Sequence, residues 1–153
     1  MESEGDSGAC AVCGVFSVAQ HHYLVFNETK TWTEAQSFCR EQFADLATVD
    51  NMEDMNNLNG MAIMELTPAG KKPWIGLFRD SWKWTDGSNS SFRNWKVGRP
   101  NNYQNQNENC AVADFESSGQ WDDRNCDEKR AFICYAALPH QQTNLKPSSL
   151  FAD

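Results

Sequence analysis

Thr31-Trp32-Thr33-Glu34-Ala35-Gln36-Ser37-Phe38-Cys39 opens a helix and sets a cysteine on its inner face. The Thr31 hydroxyl can accept a backbone N–H, and Glu34, three residues on, can reach back to the Thr31 amide; this is a capping box. The spacing predicts a first helix from Trp32 to Phe43. Ala35, Phe38 and Cys39 share one face, so that face turns inward. Upstream, His21 to Phe26 alternates polar and apolar residues and reads as a strand. Downstream, Asp45-Leu46-Ala47-Thr48-Val49 is short and β-prone. Asp50 then reads as the cap of a second helix, with Glu53 three residues later, and Met55, Leu58, Ala62 and Leu66 continue at helical spacing. Gly60 weakens that helix and Thr67-Pro68-Ala69-Gly70 ends it. Met52, Met55, Met61 and Met64 read as packing residues of this helix.

After Lys72 the pattern changes. Trp74-Ile75-Gly76-Leu77 is a tight apolar strand, and Trp82-Lys83-Trp84 alternates before the turn Asp86-Gly87. From Ser88 to Asn109 the chain is rich in Asn, Gln and Ser, with Trp95 as a lone anchor. A stretch that long without regular structure in a compact domain is functional or disordered. Cys110 to Phe115 reads as a strand, Gly119-Gln120-Trp121-Asp122-Asp123 as a turn and strand start, and Ala131-Phe132-Ile133-Cys134-Tyr135 as a closing strand. Two early helices followed by strands around a long polar loop make an α+β domain. Trp74, Trp82, Trp84, Trp95 and Trp121 are expected in the core, whereas Tyr103, inside the loop, is expected to be exposed beside a ligand.

The chain has 153 residues, six Trp and nine Phe, enough for one core with tails on either side. No apolar run is long enough to cross a bilayer, so membrane insertion is not expected. A net charge of −8 argues against nucleic acid as the main partner. There are six cysteines, and Cys39, Cys110, Cys126 and Cys134 fall in the well-patterned region. No Cys-His grouping there has zinc spacing, so a disulfide framework in an oxidising, extracellular compartment is the best reading. The sequons Asn27-Glu28-Thr29 and Asn89-Ser90-Ser91 make Asn27 and Asn89 candidate glycosylation sites. Residues 1–19 read as a leader. Gly8 to Ala19 is a run of small and apolar residues with a cleavage-like site before Gln20, but acidic residues precede it where a signal peptide is basic. An imperfect signal peptide and a disordered leader both remain open, as does a redox or metal pair at Cys10 and Cys13. The domain proper is read as residues 20–136, and residues 137–153, polar with Pro139 and Pro147, as a flexible tail.

Taken in order, Trp32-Thr33-Glu34-Ala35-Gln36 leading to Cys39, Leu46-Ala47, Trp74-Ile75-Gly76-Leu77, Asn94-Trp95, Pro100-Asn101-Asn102, Glu108-Asn109-Cys110, Gly119-Gln120-Trp121 and Phe132-Ile133-Cys134 resemble the C-type lectin domain over about Tyr23 to Tyr135. The run looks especially like the lectin domains of fish mannose-receptor-like proteins that carry several of them. The resemblance implies a C-type lectin-like fold: two helices, antiparallel sheets, a long irregular ligand-binding loop and two disulfides, Cys39–Cys134 and Cys110–Cys126. It also implies one loop-bound Ca²⁺ that a sugar's vicinal hydroxyls coordinate, and a cis bond before Pro100.

Carried over by position, the resemblance offers Asn101, Glu108, Asp122 and Asp123 as metal ligands. It offers Arg99, Asn101, Tyr103, Glu108 and Asp122 as carbohydrate contacts. Calcium needs six to eight hard oxygens. Arg99 stands where the family has a Glu or Gln oxygen, and an arginine can only donate. One reading keeps a weakened calcium site, with Glu108, Asp122 and Asp123 supplying three carboxylates and Arg99 swung outward. The other has Arg99 pair with Glu108 or Asp122 and leaves no calcium. Asn101 after Pro100 matches the mannose-type motif, but Arg99 shifts the expected preference toward a ligand with an anionic group. A second calcium site is not expected, because Asn102 and Asn109 stand where acids would help.

The expected function is therefore a secreted or extracellular module that binds glycans or glycoproteins in innate immune recognition. It would act alone, as a homo-oligomer or as part of a larger receptor. The alternative is a calcium-independent lectin-like domain that binds a protein. An enzyme is not expected: there is no His-Glu-x-x-His, no Gly-x-Ser-x-Gly and no phosphate loop. Asp122 and Asp123 are adjacent on one strand, so they face opposite sides and do not form a hydrolytic pair.

Overall fold

Thr31 caps its helix as the sequence requires. Its hydroxyl accepts from the Glu34 amide at 3.2 Å, and the Glu34 carboxylate accepts from the Thr31 amide at 3.1 Å. The structure, a computed structural model, describes residues 21–79 and 81–136. The expected leader, Cys10, Cys13 and the tail lie outside the described residues. Strand β1 (His22–Lys30) leads into helix α1 (Trp32–Gln42), then the short β2 (Asp45–Leu46) and helix α2 (Met52–Glu65). After a single-turn helix at Pro68–Gly70 come β3 (Trp74–Phe78), β4 (Lys83–Trp84), β5 (Cys110–Asp114), β6 (Gln120–Arg124) and β7 (Arg130–Ala136).

Helix α2 begins one residue later than its sequence suggests. Asn51, not Asp50, is the cap: its side-chain oxygen accepts from the Asp54 amide at 2.8 Å, and the Asp54 carboxylate accepts from the Asp50 amide at 3.0 Å. The shift follows burial, because Asp54 is enclosed while Glu53 faces solvent. The methionines also divide. Met55 is fully buried and Met61 packs at the core edge, but Met52 and Met64 are 49% and 86% exposed, so they do not pack as expected.

The strands form one sheet in the order β1-β7-β3-β5-β6, with β2 on β7 and β4 on β3. One pairing corrects the expected antiparallel arrangement: β3 runs parallel to β7, with Trp74 beside Phe132, and the sheet is mixed. Both faces of its centre are covered, which explains the nearly continuous apolar runs of β3, β5 and β7. Trp74, Val112, Phe132 and Cys134 join Trp32, Ala35 and Cys39 of α1 in one cluster. Ile75, Leu77, Ala111, Ala113 and Ile133 join Met55 and Leu58 of α2 in another. The period of two along each strand sorts residues between the two clusters. Gly76 has no side chain because none fits: a Cβ there would sit 2.9 Å from the Ala47 carbonyl oxygen and 3.0 Å from that of Leu46. That close approach lets the Gly76 amide donate to Ala47 at 2.8 Å and ties β3 to the segment before α2.

Disulfides join Cys39 to Cys134 and Cys110 to Cys126. The first fastens α1 to β7. The second fastens β5 to the turn after β6, whose Cys126 carbonyl accepts from the Trp32 amide at 3.0 Å. Trp74, Trp84 and Trp121 are buried, and Trp82 and Trp95 pack from the rim against the cluster that holds Trp84 and Trp121.

Candidate functional site

The long stretch from Ser88 to Asn109 is held against β6. Trp95 makes a parallel bridge to Trp121, the Trp121 amide donates to Asn94 at 2.7 Å, and the Lys96 amide donates to Trp121 at 2.9 Å. The chain then reverses. The Arg99 amide donates to the Lys96 carbonyl at 3.0 Å around Gly98, whose φ of 83° is the left-handed conformation such a turn needs at its third residue. This turn aims Arg99 back at β6, and the Arg99–Pro100 bond that follows is cis, as the resemblance implies.

The asparagines beyond it serve the backbone. Asn102, Asn105 and Asn107 have φ of 44°, 56° and 58°, and Gln104 has 52°. Asparagine tolerates the left-handed region better than other non-glycine residues. The Asn-rich composition thus encodes a tightly coiled loop. Two buried carboxylates pin it. Asp123 accepts from the Asn101 amide at 3.1 Å and the Asn102 amide at 2.7 Å. Glu108 accepts from the Tyr103 amide at 2.7 Å, and the Asn102 side-chain oxygen accepts from the Glu108 amide at 2.8 Å.

Arg99, Asn101, Tyr103, Glu108 and Asp122 line one pocket of about 330 Å³, together with Gln106, Arg124 and Glu128. Every residue expected to contact a carbohydrate is therefore brought together there, and Tyr103 is 55% exposed at its edge. Asp123 is not in the lining. It sits on the opposite face of β6 from Asp122, as the alternation of a strand requires, and is turned to the loop amides.

Asp122 is the electrostatic centre. It is 2% exposed, and three cations converge on it: Arg99 Nε at 2.7 Å, Arg124 Nη2 at 2.9 Å and Lys96 Nζ at 3.6 Å. Burial alone would push its carboxyl up, but the Arg124 and Arg99 guanidiniums hold it below the usual carboxylate range. Burial likewise opposes the charge of Arg124, and its bond to Asp122 raises its pKa above the ordinary value. Lys96 also reaches Asp114 at 2.5 Å and so links two buried carboxylates.

Of the four expected metal ligands, Asn101, Glu108 and Asp122 face the pocket. Their arrangement does not suit calcium. Both Asp122 oxygens are bound by cations, both Asp123 oxygens accept amide hydrogens, and one Glu108 oxygen does the same. A guanidinium stands beside Asp122 where a hard dication needs a free oxygen. Lys96, Gln106, Arg124 and Glu128 went unread in the sequence. Arg124 carried a signal, since it lies two residues beyond Asp122 on a strand and must share its face. Of the sequon residues, Asn89 is exposed. Asn27 is exposed too, but its side chain donates to the Glu65 carbonyl at 2.6 Å and accepts from the Thr67 amide at 3.0 Å. Where acids would serve a second calcium site, Asn109 instead bonds Arg79, and Asp80 lies outside the described residues.

Residues 28–136 match the Lectin C-type domain family. The chain belongs to that family. It is 36% identical to a C-type lectin of the snake Thrasops jacksonii, a lectoxin, over 85% of each chain. It is 34% identical to human C-type mannose receptor 2 over 71% of its own length, but that match spans only 7% of the receptor. The mouse scavenger receptor C-type lectin carbohydrate-recognition domain superposes with a TM-score of 0.64 at 31% identity, covering 75% of this chain and 88% of that one. This chain thus has a C-type lectin-like fold, with two helices, a mixed sheet and two disulfides.

Proposed function

We propose that this C-type lectin-like domain is a secreted, extracellular glycan-binding module of innate recognition, and that it holds its ligand in the long-loop pocket without a resident calcium ion. The bond from Arg99 to Asp122, 2.7 Å long and inside the pocket, carries the reading. A guanidinium is a fixed planar fork of donors, suited to paired hydroxyls on a sugar ring. Asn101 and the remaining Glu108 oxygen would accept from the same hydroxyls, and the exposed Tyr103 ring would cover an apolar sugar face. The mouse relative described as a carbohydrate-recognition domain supports the ligand class. The pocket's acids are tied to cations and amides, so binding, not catalysis, is its role.

A calcium-assisted reading has one observation in its favour. Asn101, Glu108 and Asp122 do share a pocket, and the Arg99 side chain, 35% exposed, has room to rotate outward. Calorimetry of the native chain and of Arg99→Glu with CaCl₂, beside a glycan array with and without chelator, tests the two. The expected result is no calcium heat for the native chain, gained binding for Arg99→Glu, and chelator-insensitive glycan binding. One calcium bound by the native chain, with glycan binding lost in chelator, would replace this reading with the calcium-assisted one. No glycan bound in either condition would move the search to a protein partner.

A further inference from the structure

A second hollow of about 280 Å³ lies beside the loop pocket, lined by Lys71, Lys72, Arg124 and Arg130 with Glu116, Pro68 and Ala69. Arg124 lines both cavities. Glu128, on the wall of the loop pocket, bonds Arg130 at 2.6 Å, so the two hollows flank one ridge on the same surface.

The hollow is short of negative charge. Lys71 donates to the carbonyls of Ala62 at 3.1 Å and Leu66 at 3.2 Å, which are neutral acceptors at the end of α2. Lys72 pairs with Glu116 at 3.0 Å and approaches Asp114 at 4.0 Å, but Asp114 also serves Lys96. Arg124 pairs with Asp122, which already holds Arg99 and Lys96. The hollow's own lining thus carries four cations, Lys71, Lys72, Arg124 and Arg130, against one carboxylate, Glu116. On a chain of net charge −8, this is a local surplus of positive charge in a concave site.

We propose that this hollow is an oxyanion subsite for a sulfate or carboxylate group on a glycan whose neutral part occupies the loop pocket. The proposal rests on the glycan-binding reading above for what carries the anion. Lys72 and Arg130 supply the recognition, with side chains 31% and 19% exposed and their present partners Glu116 and Glu128 themselves exposed. An incoming oxyanion would take over these surface pairs, which are individually weak. Arg124 would stay on Asp122 and add its field to both cavities.

The test is the affinity of the full chain for three hexasaccharides: a sulfated uronic-acid oligomer, its desulfated counterpart that keeps its carboxylates, and a neutral one. The sulfated probe is expected to bind roughly tenfold or more tightly than the neutral one, the gain of one charge-assisted hydrogen bond or more. That gain should fall as salt is raised. Lys72→Gln should remove most of it, and Arg130→Gln, checked for a native melting curve, should do the same. A desulfated probe that keeps the gain assigns carboxylate as the group recognised, and one that loses it assigns sulfate. Equal affinity for sulfated and neutral probes overturns the subsite, as does a gain that survives both substitutions. If the neutral probe fails to bind while the acidic ones bind through Lys72, the loop-pocket reading falls and the oxyanion site stands.

Discussion

The helix-bearing half of the sheet and the long-loop half are both held by dense contacts, but by different physics. Around α1, α2, β3 and β7 the packing is mainly apolar, with Asp45 and Asp54 as its buried carboxylates, and Cys39–Cys134 clamps the first helix to the last strand. Around the long loop, carboxylates do the holding beside the buried Trp121. Asp123 and Glu108 hold loop amides, and Asp122 holds three cations. Apolar burial is non-directional and tolerates exchange of side chains of similar volume. A buried carboxylate is directional and costly to leave unpaired. The first half should therefore set global stability. The second should set the pocket's shape, through a few irreplaceable residues.

The largest expected effect is on the clamp. Replacing Cys39 and Cys134 together by Ala removes a bridge across a sequence separation of 95, worth about 4.7 kcal/mol by chain-entropy reasoning for a loop of that order. The same change at Cys110 and Cys126, separation 16, should cost about 3 kcal/mol. Urea unfolding ranks the two. The shorter bridge should weaken ligand binding beyond its stability cost, because Asn125 beside it donates to the Gln106 carbonyl of the pocket wall at 3.0 Å. Equal effects of both variants on binding would erase the distinction between the halves.

Next is Asp123→Ala, expected to cost roughly 2–3 kcal/mol by leaving the Asn101 and Asn102 amides without their charged acceptor. Amide hydrogen exchange should rise across Asn101 to Glu108 and stay unchanged in β3 and β7. Exchange that rises evenly over the whole domain would mean the loop is not a separately held unit. Thr31→Ala, on the other side of the comparison, should cost about 1 kcal/mol by removing the α1 cap, with ligand affinity unchanged.

The smallest effect separates the halves by pH. Asp122 has a depressed pKa in the folded chain, so its contribution is present above the unfolded carboxylate value of about 3.9. It is lost as pH falls below that value through the folded one. Stability measured across that acid window should fall less steeply in Asp122→Asn than in the native chain. Parallel slopes would show that its three cations do not stabilise the charged form.

Much of this was legible in the chain itself, and the reasons differ by region. The α1 capping box, the apolar runs of β3, β5 and β7 and the end of α2 depend on neighbours in sequence, so local spacing exposes them. The pairing of Arg99 with Asp122 was one of two readings that the residues allowed. Choosing between them needed the turn at Gly98 and the parallel bridge of Trp95 to Trp121, which are tertiary facts. Lys96 could not be read at all, since its approach to Asp114 and Asp122 depends on that bridge. Asn102, Asn105 and Asn107 serve the backbone of the loop, whereas Asn101, the asparagine expected as a ligand, lines the pocket.

By itself, the sequence determined the family, the α+β class, the cysteine framework its family resemblance implies, and the gathering of Arg99, Asn101, Tyr103, Glu108 and Asp122 near one loop. Periodicity, capping and turn preferences are local, and these features follow from them together with the family pattern. Only the tertiary structure decided what each acid does. Asp122 and Asp123 are the same residue type one step apart, yet the pleat of β6 sends one to three cations and the other to two amides. A charge's role depends on what is folded against it, and that is written in contacts between segments far apart along the chain.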